Sequence, residues 1–323
     1  MKTYKAKSFW VKGKRKGYFK SEVLEQPSKN EVVIKTIYTG ISMGTEKLVF
    51  DGNIPLSQRK LMRCPFQDGD FNDDVKYGYI NVGKVVDGPK SLLKKSVFSL
   101  FPHQDIFKLS INDLTMIPKN IPLKRSLLIP NLETAINAIW DTLPTPGDRI
   151  IVLGAGVVGL LTANILNKIP GINLIIVDSN NKKEDVCKKL GLSFEKSIPR
   201  SFEADIIYEC TGNSSVLNSL KKNICYDSLI CILSWYGDKK SSLNLGEEFF
   251  SKRAKIILSQ VSKISPNRSH MNHSSRRQLA MNLLRDSKLD NLIEKSEIMF
   301  TKLGKFLNDK KNSKNILCKV VKY

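Results

Sequence analysis

The stretch 147-GDRIIVLGAGVVGLLTANILNKIPGINLIIVDSN-180 decides the fold. Arg149 to Leu153 is apolar and β-branched, the pattern of a strand covered on both faces in a parallel sheet. It runs directly into Gly154-Ala155-Gly156-Val157-Val158-Gly159. A helical pattern follows through Leu160, Leu161, Ala163, Ile165 and Leu166, and Pro170-Gly171 stops it. A second apolar strand, Asn173 to Val177, ends at Asp178.

Each of these residues has its own task in a dinucleotide site. Gly154 permits the tight turn, Gly156 lets the backbone approach a pyrophosphate, and Gly159 lets the helix lie against the sheet. Val157 and Val158 open the helix, whose N-terminus turns free N–H groups and positive dipole toward the diphosphate. Asp178, 24 residues beyond Gly154, is placed to accept the ribose hydroxyls of the adenosine half. Its charge repels a 2′-phosphate, which favours NAD over NADP, while Lys182 and Lys183 leave NADP open. The bland alternative is a glycine-rich turn that merely joins a strand to a helix. The complete strand, turn, helix, strand and acidic terminus argues against it.

Working outward, the 323-residue chain has room for two domains, and its 41% hydrophobic content suits a folded protein. No long uncharged apolar run and no signal-peptide core occur, which predicts a soluble cytoplasmic protein without membrane insertion. The six cysteines are scattered without a CxxC pair and read as reduced small hydrophobes. A formal charge of +21 predicts attraction to anions. It is spread along the chain, and no specific nucleic-acid partner is expected.

Before the dinucleotide unit the chain reads as strands and turns. Strands are expected over Lys5 to Val11, Lys20 to Leu24 and Glu31 to Tyr38, with the basic KGKRKG run, Lys12 to Gly17, as a charged hairpin edge. Thr39 to Pro55 reads as a turn entering a short helix, where Glu46 is either functional or an acidic cap. The acidic run QDGDFNDD lacks the spaced ligands of a calcium loop. Val75 to Val86 predicts a strand with Tyr77 and Tyr79 on one face. His103 falls in a Pro-His-Gln turn, suited either to proton transfer or to backbone bonding. Ile129 to Trp140 predicts a helix after Pro130, with Glu133 in its first turn.

Beyond Asp178 the αβ pattern repeats, with a helix ending at Gly191 and a strand from Ala204 to Cys210 before Thr211-Gly212. A helix over Asn213 to Asn223 and strands at Leu229 to Ser234 and Ile256 to Val261 follow. Thr211, Gly212 and Ser234 are expected at strand C-terminal ends, the ligand side of such a sheet. His270 and His273 would share a helix face without a third ligand, and Arg276 and Arg277 suit an anion. Strands at Ser296 to Phe300 and Asn315 to Val321, with a helical connection over Thr301 to Lys310, complete the chain.

This order resembles the medium-chain dehydrogenase/reductase superfamily, the zinc-type alcohol dehydrogenase-like proteins. The closer resemblance is to the branch of 2-desacetyl-2-hydroxyethyl bacteriochlorophyllide A dehydrogenase. It rests on Gly40-Ile41-Ser42 with Gly44-Thr45-Glu46, Pro65-Phe66-Gln67 with Gly69-Asp70-Phe71, and Val75 to Tyr79. Pro102-His103-Gln104, Asn131 to Ala135, the dinucleotide run and Ser259-Gln260-Val261 continue it. The resemblance implies an α/β protein: a GroES-like, mainly β catalytic domain at 1–125, a Rossmann NAD-binding domain at 126–265, and a segment at 266–323 returning to the catalytic domain. It also implies pairing into a homodimer through the cofactor domains. The usual zinc ligands are missing, since Gly78-Tyr79-Ile80 stands where a Gly-His-Glu element is expected, and the four-cysteine lobe is absent. Structural zinc is therefore not expected, and a catalytic metal would have to use His103, Glu133 and Glu46.

The resulting expectation is an oxidoreductase interconverting a secondary alcohol and a ketone with NAD(H), on a bacteriochlorophyllide-like or polyol substrate. His103 is the first candidate for proton transfer, Tyr79 an alternative donor, Glu133 an orienting carboxylate and Glu46 a residue ordering the substrate loop. Two other readings stay open: a zinc-free enone or quinone reductase, and a non-enzymatic dinucleotide sensor with nucleic-acid affinity.

Overall fold

The computed structural model describes residues 2–71, 73–309 and 316–323. They form two compact units, one running to Pro130 and resuming at Ile293–Tyr323, the other Asn131–Leu292. In chain order the first unit contributes β1 (Thr3–Lys12), β2 (Lys16–Glu25), β3 (Glu31–Ile41), α1 (Met43–Asp51), β4 (Asp68–Gly69), β5 (Asp74–Lys76), β6 (Asn81–Asp87), β7 (Ser96–Ser99), β8 (Ile106–Ser110) and β9 (Thr115–Met116). The second holds most of α2 (Ile129–Thr142), then β10 (Arg149–Leu153), α3 (Val157–Leu166), β11 (Asn173–Val177), α4 (Glu184–Leu190), β12 (Phe194–Glu195), β13 (Ala204–Glu209), β14 (Ile224–Ile232), β15 (Lys255–Leu258) and α5 (His273–Leu283). The chain then supplies β16 (Ile298–Met299), α6 (Leu303–Asn308) and β17 (Lys319–Lys322) to the first unit.

In the first unit β1 and β2 pair antiparallel from Thr3↔Glu25 to Lys12↔Lys16, with the basic run as their turn, as expected of a charged hairpin. They belong to a four-stranded sheet ordered β2-β1-β5-β4. A second sheet is ordered β16-β17-β3-β6-β7-β9, with β8 also on β3. Val32, Ile34, Val85, Val97, Phe101, Phe107 and Leu109 form a core on it, the inward half of an alternating pattern. The strand β17 lies antiparallel to β3, Lys322 opposite Tyr38, so Tyr323 arrives beside Ile37 in the middle of β3.

The second unit is a parallel sheet in the order β12-β11-β10-β13-β14-β15. Numbered from β10, that order is 3-2-1-4-5-6, the doubly wound dinucleotide topology, whose direction reverses between β10 and β13. Ligand crevices open outside the strand C-termini at such a switch point. The core is continuous along the strands, from Ile151 and Leu153 through Ile207 to Ile230 and Ile232. Among the described residues no helix is long and apolar enough to cross a membrane.

Four local expectations need correction. Tyr77 and Tyr79 do not lie on a strand, because β5 stops at Lys76 and Gly78 takes a φ of 128° that a strand does not tolerate. Glu133 is not in a first helical turn: a 3-10 turn at Arg125–Leu128 runs into α2, which therefore begins at Ile129. Ser214–Leu220 is a 3-10 helix, and the α-helix expected across Asn213 to Asn223 does not form. His270 precedes α5 while His273 opens it, so the two share no helix face. The ends of the last two expected elements, at Lys310 and Asn315, lie outside the described residues.

Candidate functional site

The glycine turn after β10 is built for close approach. Gly154 has a φ of 96°, and a Cβ there would stand 2.9 Å from the carbonyl carbon and oxygen of Cys210 at the end of the neighbouring strand. A Cβ on Gly159 would stand 1.9 Å from the Gly154 carbonyl oxygen, so α3 can press on the turn only with glycine there. Gly156 is different. It caps α3 with an ordinary φ of −79°, and a Cβ on it would meet no protein atom within 4 Å. The fold does not require that glycine; the open space in front of the first N–H groups of α3, those of Val157 and Val158 among them, is where a diphosphate would sit.

Asp178 is clamped to this turn. Its Oδ2 accepts a hydrogen bond from the Ala155 amide at 2.8 Å and its Oδ1 one from the Asn180 amide at 2.9 Å. Each oxygen keeps a further lone-pair direction for a ribose hydroxyl. On the other side of the switch point, Thr211 and Gly212 follow β13. The Thr211 amide donates to Glu209 Oε1 at 2.6 Å, its hydroxyl donates to the same oxygen, and the Tyr236 hydroxyl donates to Glu209 Oε2 at 2.8 Å. The Gly212 amide donates to Ser234 Oγ at 2.9 Å. Glu209 is fully buried, with both oxygens satisfied. Sequence reading missed Glu209 and Tyr236; the signal was an acid at the C-terminal end of the strand ADIIYE, the ligand side of such a sheet.

In the first unit a second polar cluster surrounds Glu46 in the first turn of α1. Glu46 Oε1 accepts from the Ser42 amide at 2.8 Å, and Oε2 lies 2.8 Å from His103 Nε2. Glu46 is thus both a helix cap and a histidine partner. His103 Nδ1 lies 2.7 Å from Thr39 Oγ1, which is 3.2 Å from the Tyr323 hydroxyl. Glu46 and His103 are only 4% and 2% exposed. With Glu46 ionised and His103 neutral, Nε2–H donates to the carboxylate and Nδ1 accepts from Thr39. As an imidazolium, His103 donates from both nitrogens, and Thr39 turns its proton to Tyr323. Thr39 and Tyr323 escaped sequence reading because no local pattern marks either as a histidine partner.

Gly78 makes room for this histidine: a Cβ there would lie 2.9 Å from His103 Cδ2. Beside it, half-buried Tyr79 hydrogen-bonds to Ser42 and Thr45, and burial pushes its phenol up to about 12. Its ring meets that of Tyr77 edge-on at 6.0 Å. The Cys64 thiol donates to the Gly78 carbonyl at 3.4 Å, and burial pushes it up to about 12. Ser42, Thr45, Cys64 and Tyr79 are each partly exposed over the buried Glu46.

Glu133 belongs to the other unit and is bound to arginines. Arg277 Nε donates to its Oε2 at 3.2 Å, and Arg276 Nε stands 3.5 Å from its Oε1. Arg276 is itself buried, donating to Asn137 Oδ1 and to the Val261 carbonyl, each at 2.7 Å. The structure therefore joins Glu46 to His103, sets Tyr79 beside the Ser42 that caps the same helix, and gives Glu133 separate partners. Among the described residues no three His, Cys, Asp or Glu side chains come together as a metal-binding group.

With the parallel switch-point sheet and the GroES-like strands in view, the fold is that of the medium-chain dehydrogenases. No protein-family model matches the chain. It is 21% identical over 286 residues to D-guloside 3-dehydrogenase of Escherichia coli K12, covering 77% of this chain and 79% of that protein. L-idonate 5-dehydrogenase of E. coli superposes with a TM-score of 0.80 at 13% identity, covering 100% of this chain and 99% of the other. Acetophenone reductase of Geotrichum candidum, solved in complex with NAD, gives 0.79 at 13% identity over 99% of this chain and 97% of the other. Other relatives are named as D-xylulose reductases, a butanediol dehydrogenase and a zinc-type alcohol dehydrogenase-like protein, and structural neighbours have been solved with NADH and with NADP.

Proposed function

We propose that the chain is an NAD(H)-dependent oxidoreductase that interconverts a secondary alcohol and a ketone by hydride transfer. The observation that carries this reading is the pairing of Gly156, whose missing side chain leaves space that no protein atom fills, with Asp178, fixed by two backbone amides beside it. That arrangement suits a diphosphate on α3 and an unphosphorylated ribose on the carboxylate. The bound nicotinamide supplies the redox chemistry.

The chain's own residues then bind, orient and move a proton. Asp178 holds the adenosine ribose, and its charge disfavours a 2′-phosphate. The phenol of Tyr79, held near 12, stays protonated at neutral pH and so serves as a hydrogen-bond donor to the substrate oxygen, not as a base. His103 acts through its neighbours: the Glu46–His103–Thr39–Tyr323 chain links the buried imidazole to hydroxyls along which a proton can shift.

The zinc of the resembling family does not fit this donor set. Glu46 and His103 already satisfy one another, Glu133 is held by two arginines, and the Cys64 thiol donates to the Gly78 carbonyl. No step is assigned to a metal. The relatives, by their names, act on sugars and diols, which favours a polyol over a bacteriochlorophyllide-like substrate.

Product analysis tests the reading. Purified protein with NADH and paired ketone and enone substrates is expected to give the carbinol. Saturation of the C=C bond alone would replace this reading with an enone reductase.

A further inference from the structure

The first turn of α5 carries an excess of positive charge. His273, Arg276 and Arg277 fall within its first five residues, and that turn contains no acid. Cations at a helix N-terminus oppose the dipole, so the segment requires anions from elsewhere. Glu133 supplies one, set against both arginines. Burial and the neighbouring Arg276 both lower the pKa of His273, which keeps it from adding a third charge near neutrality. Asp141 also acts on Arg276, so the buried guanidinium has two carboxylates near it.

Of the two guanidinium groups, the one open to a ligand is that of Arg277. Arg276 is almost wholly buried, and both its terminal nitrogens donate within the protein. Arg277 has 20% of its side chain exposed and is bound only through Nε to Glu133, so its two terminal nitrogens have no partner among the described residues. Anchoring at Nε fixes the plane of the guanidinium and presents its remaining N–H groups as a fork. That is the geometry which takes a carboxylate or phosphate through two parallel hydrogen bonds.

We infer that Arg277, oriented by Glu133, is the binding site of a small oxyanion: a carboxylate or a phosphate monoester. The inference concerns the second unit alone and does not depend on the hydride-transfer reading.

Calorimetric titration with D-gluconate and, separately, inorganic phosphate tests it on the full chain at constant ionic strength. The comparison is between the wild type, Arg277→Gln and Arg277→Lys, with the exposed Arg285→Gln as control. Loss of a bidentate charged contact is expected to weaken binding about tenfold or more in Arg277→Gln. Arg277→Lys, which keeps the charge without the fork, should fall between, and Arg285→Gln should match the wild type. The anion that shows the Arg277-dependent loss identifies the source. Because no turnover is read, failure of the proposed reaction leaves this result intact. A second measurement needs no variant: phenylglyoxal labelling of the wild type, mapped by mass spectrometry, should modify Arg277, and the binding anion should protect it where equal sodium chloride does not. Equal affinity in wild type and Arg277→Gln, or labelling of Arg277 unaffected by either anion, would overturn the inference.

Discussion

His103 Nε2 and Glu46 Oε2 stand 2.8 Å apart in a buried part of the first unit, with Thr39 on the opposite ring nitrogen. Removing the carboxylate strands a buried N–H. Glu46→Ala is therefore expected to destabilise the protein by about 1–3 kcal/mol and to lower turnover. Urea denaturation and steady-state rates check it; a variant as stable and active as the wild type would show the pair to be incidental.

Gly78 gives a second handle on the same histidine. Gly78→Ala must hold an L side chain at a φ of 128° with its Cβ 2.9 Å from the imidazole. The expected cost is about 1–3 kcal/mol of backbone strain with displacement of His103. The imidazole C–H resonances of His103 and the denaturation midpoint should shift together.

Gly156 and Gly159 separate cofactor binding from folding. Gly156→Ala meets no protein atom and keeps an ordinary φ, so its stability should stay within about 1 kcal/mol of the wild type. Its methyl occupies the space assigned to the diphosphate, and NADH affinity should fall roughly tenfold or more. Gly159→Ala should instead unfold readily, because its Cβ would lie 1.9 Å from a carbonyl oxygen. Fluorescence titration with NADH alongside thermal melts distinguishes the two.

Tyr79 sets an alkaline prediction. Burial raises its phenol from 10.0 to about 12, so the folded state resists its ionisation. Its contribution to stability is fully present below pH 10 and declines as pH rises toward 12. Ultraviolet titration of Tyr79→Phe against the wild type should show one fewer tyrosine ionising late, and the pH–rate profile should have no phenolate limb below about pH 11.

Much of this was legible in the sequence wherever local pattern and chemistry coincide. From Arg149 to Asp178 the strand, turn and helix periods each depend on near neighbours, and β10, α3 and β11 follow them. The hairpin of β1 and β2 was legible for the same reason. What escaped depends on residues far apart in the chain. His103 meets Thr39 of β3 across 64 positions of the chain, Tyr323 reaches Thr39 because β17 returns to β3, and Glu133 meets Arg277 across most of the second unit. The break at Gly78 was also missed, since alternating tyrosines imitate a strand and only the space needed by His103 explains the turn.

Carbinol-deuterated secondary alcohols and polyols, incubated with the protein and NAD, test hydride transfer most directly through the mass of the NADH formed. One deuterium is expected on the cofactor for each ketone produced. Ketone formed without label in the cofactor, or an intact NADH complex that turns over no alcohol or ketone, would contradict it.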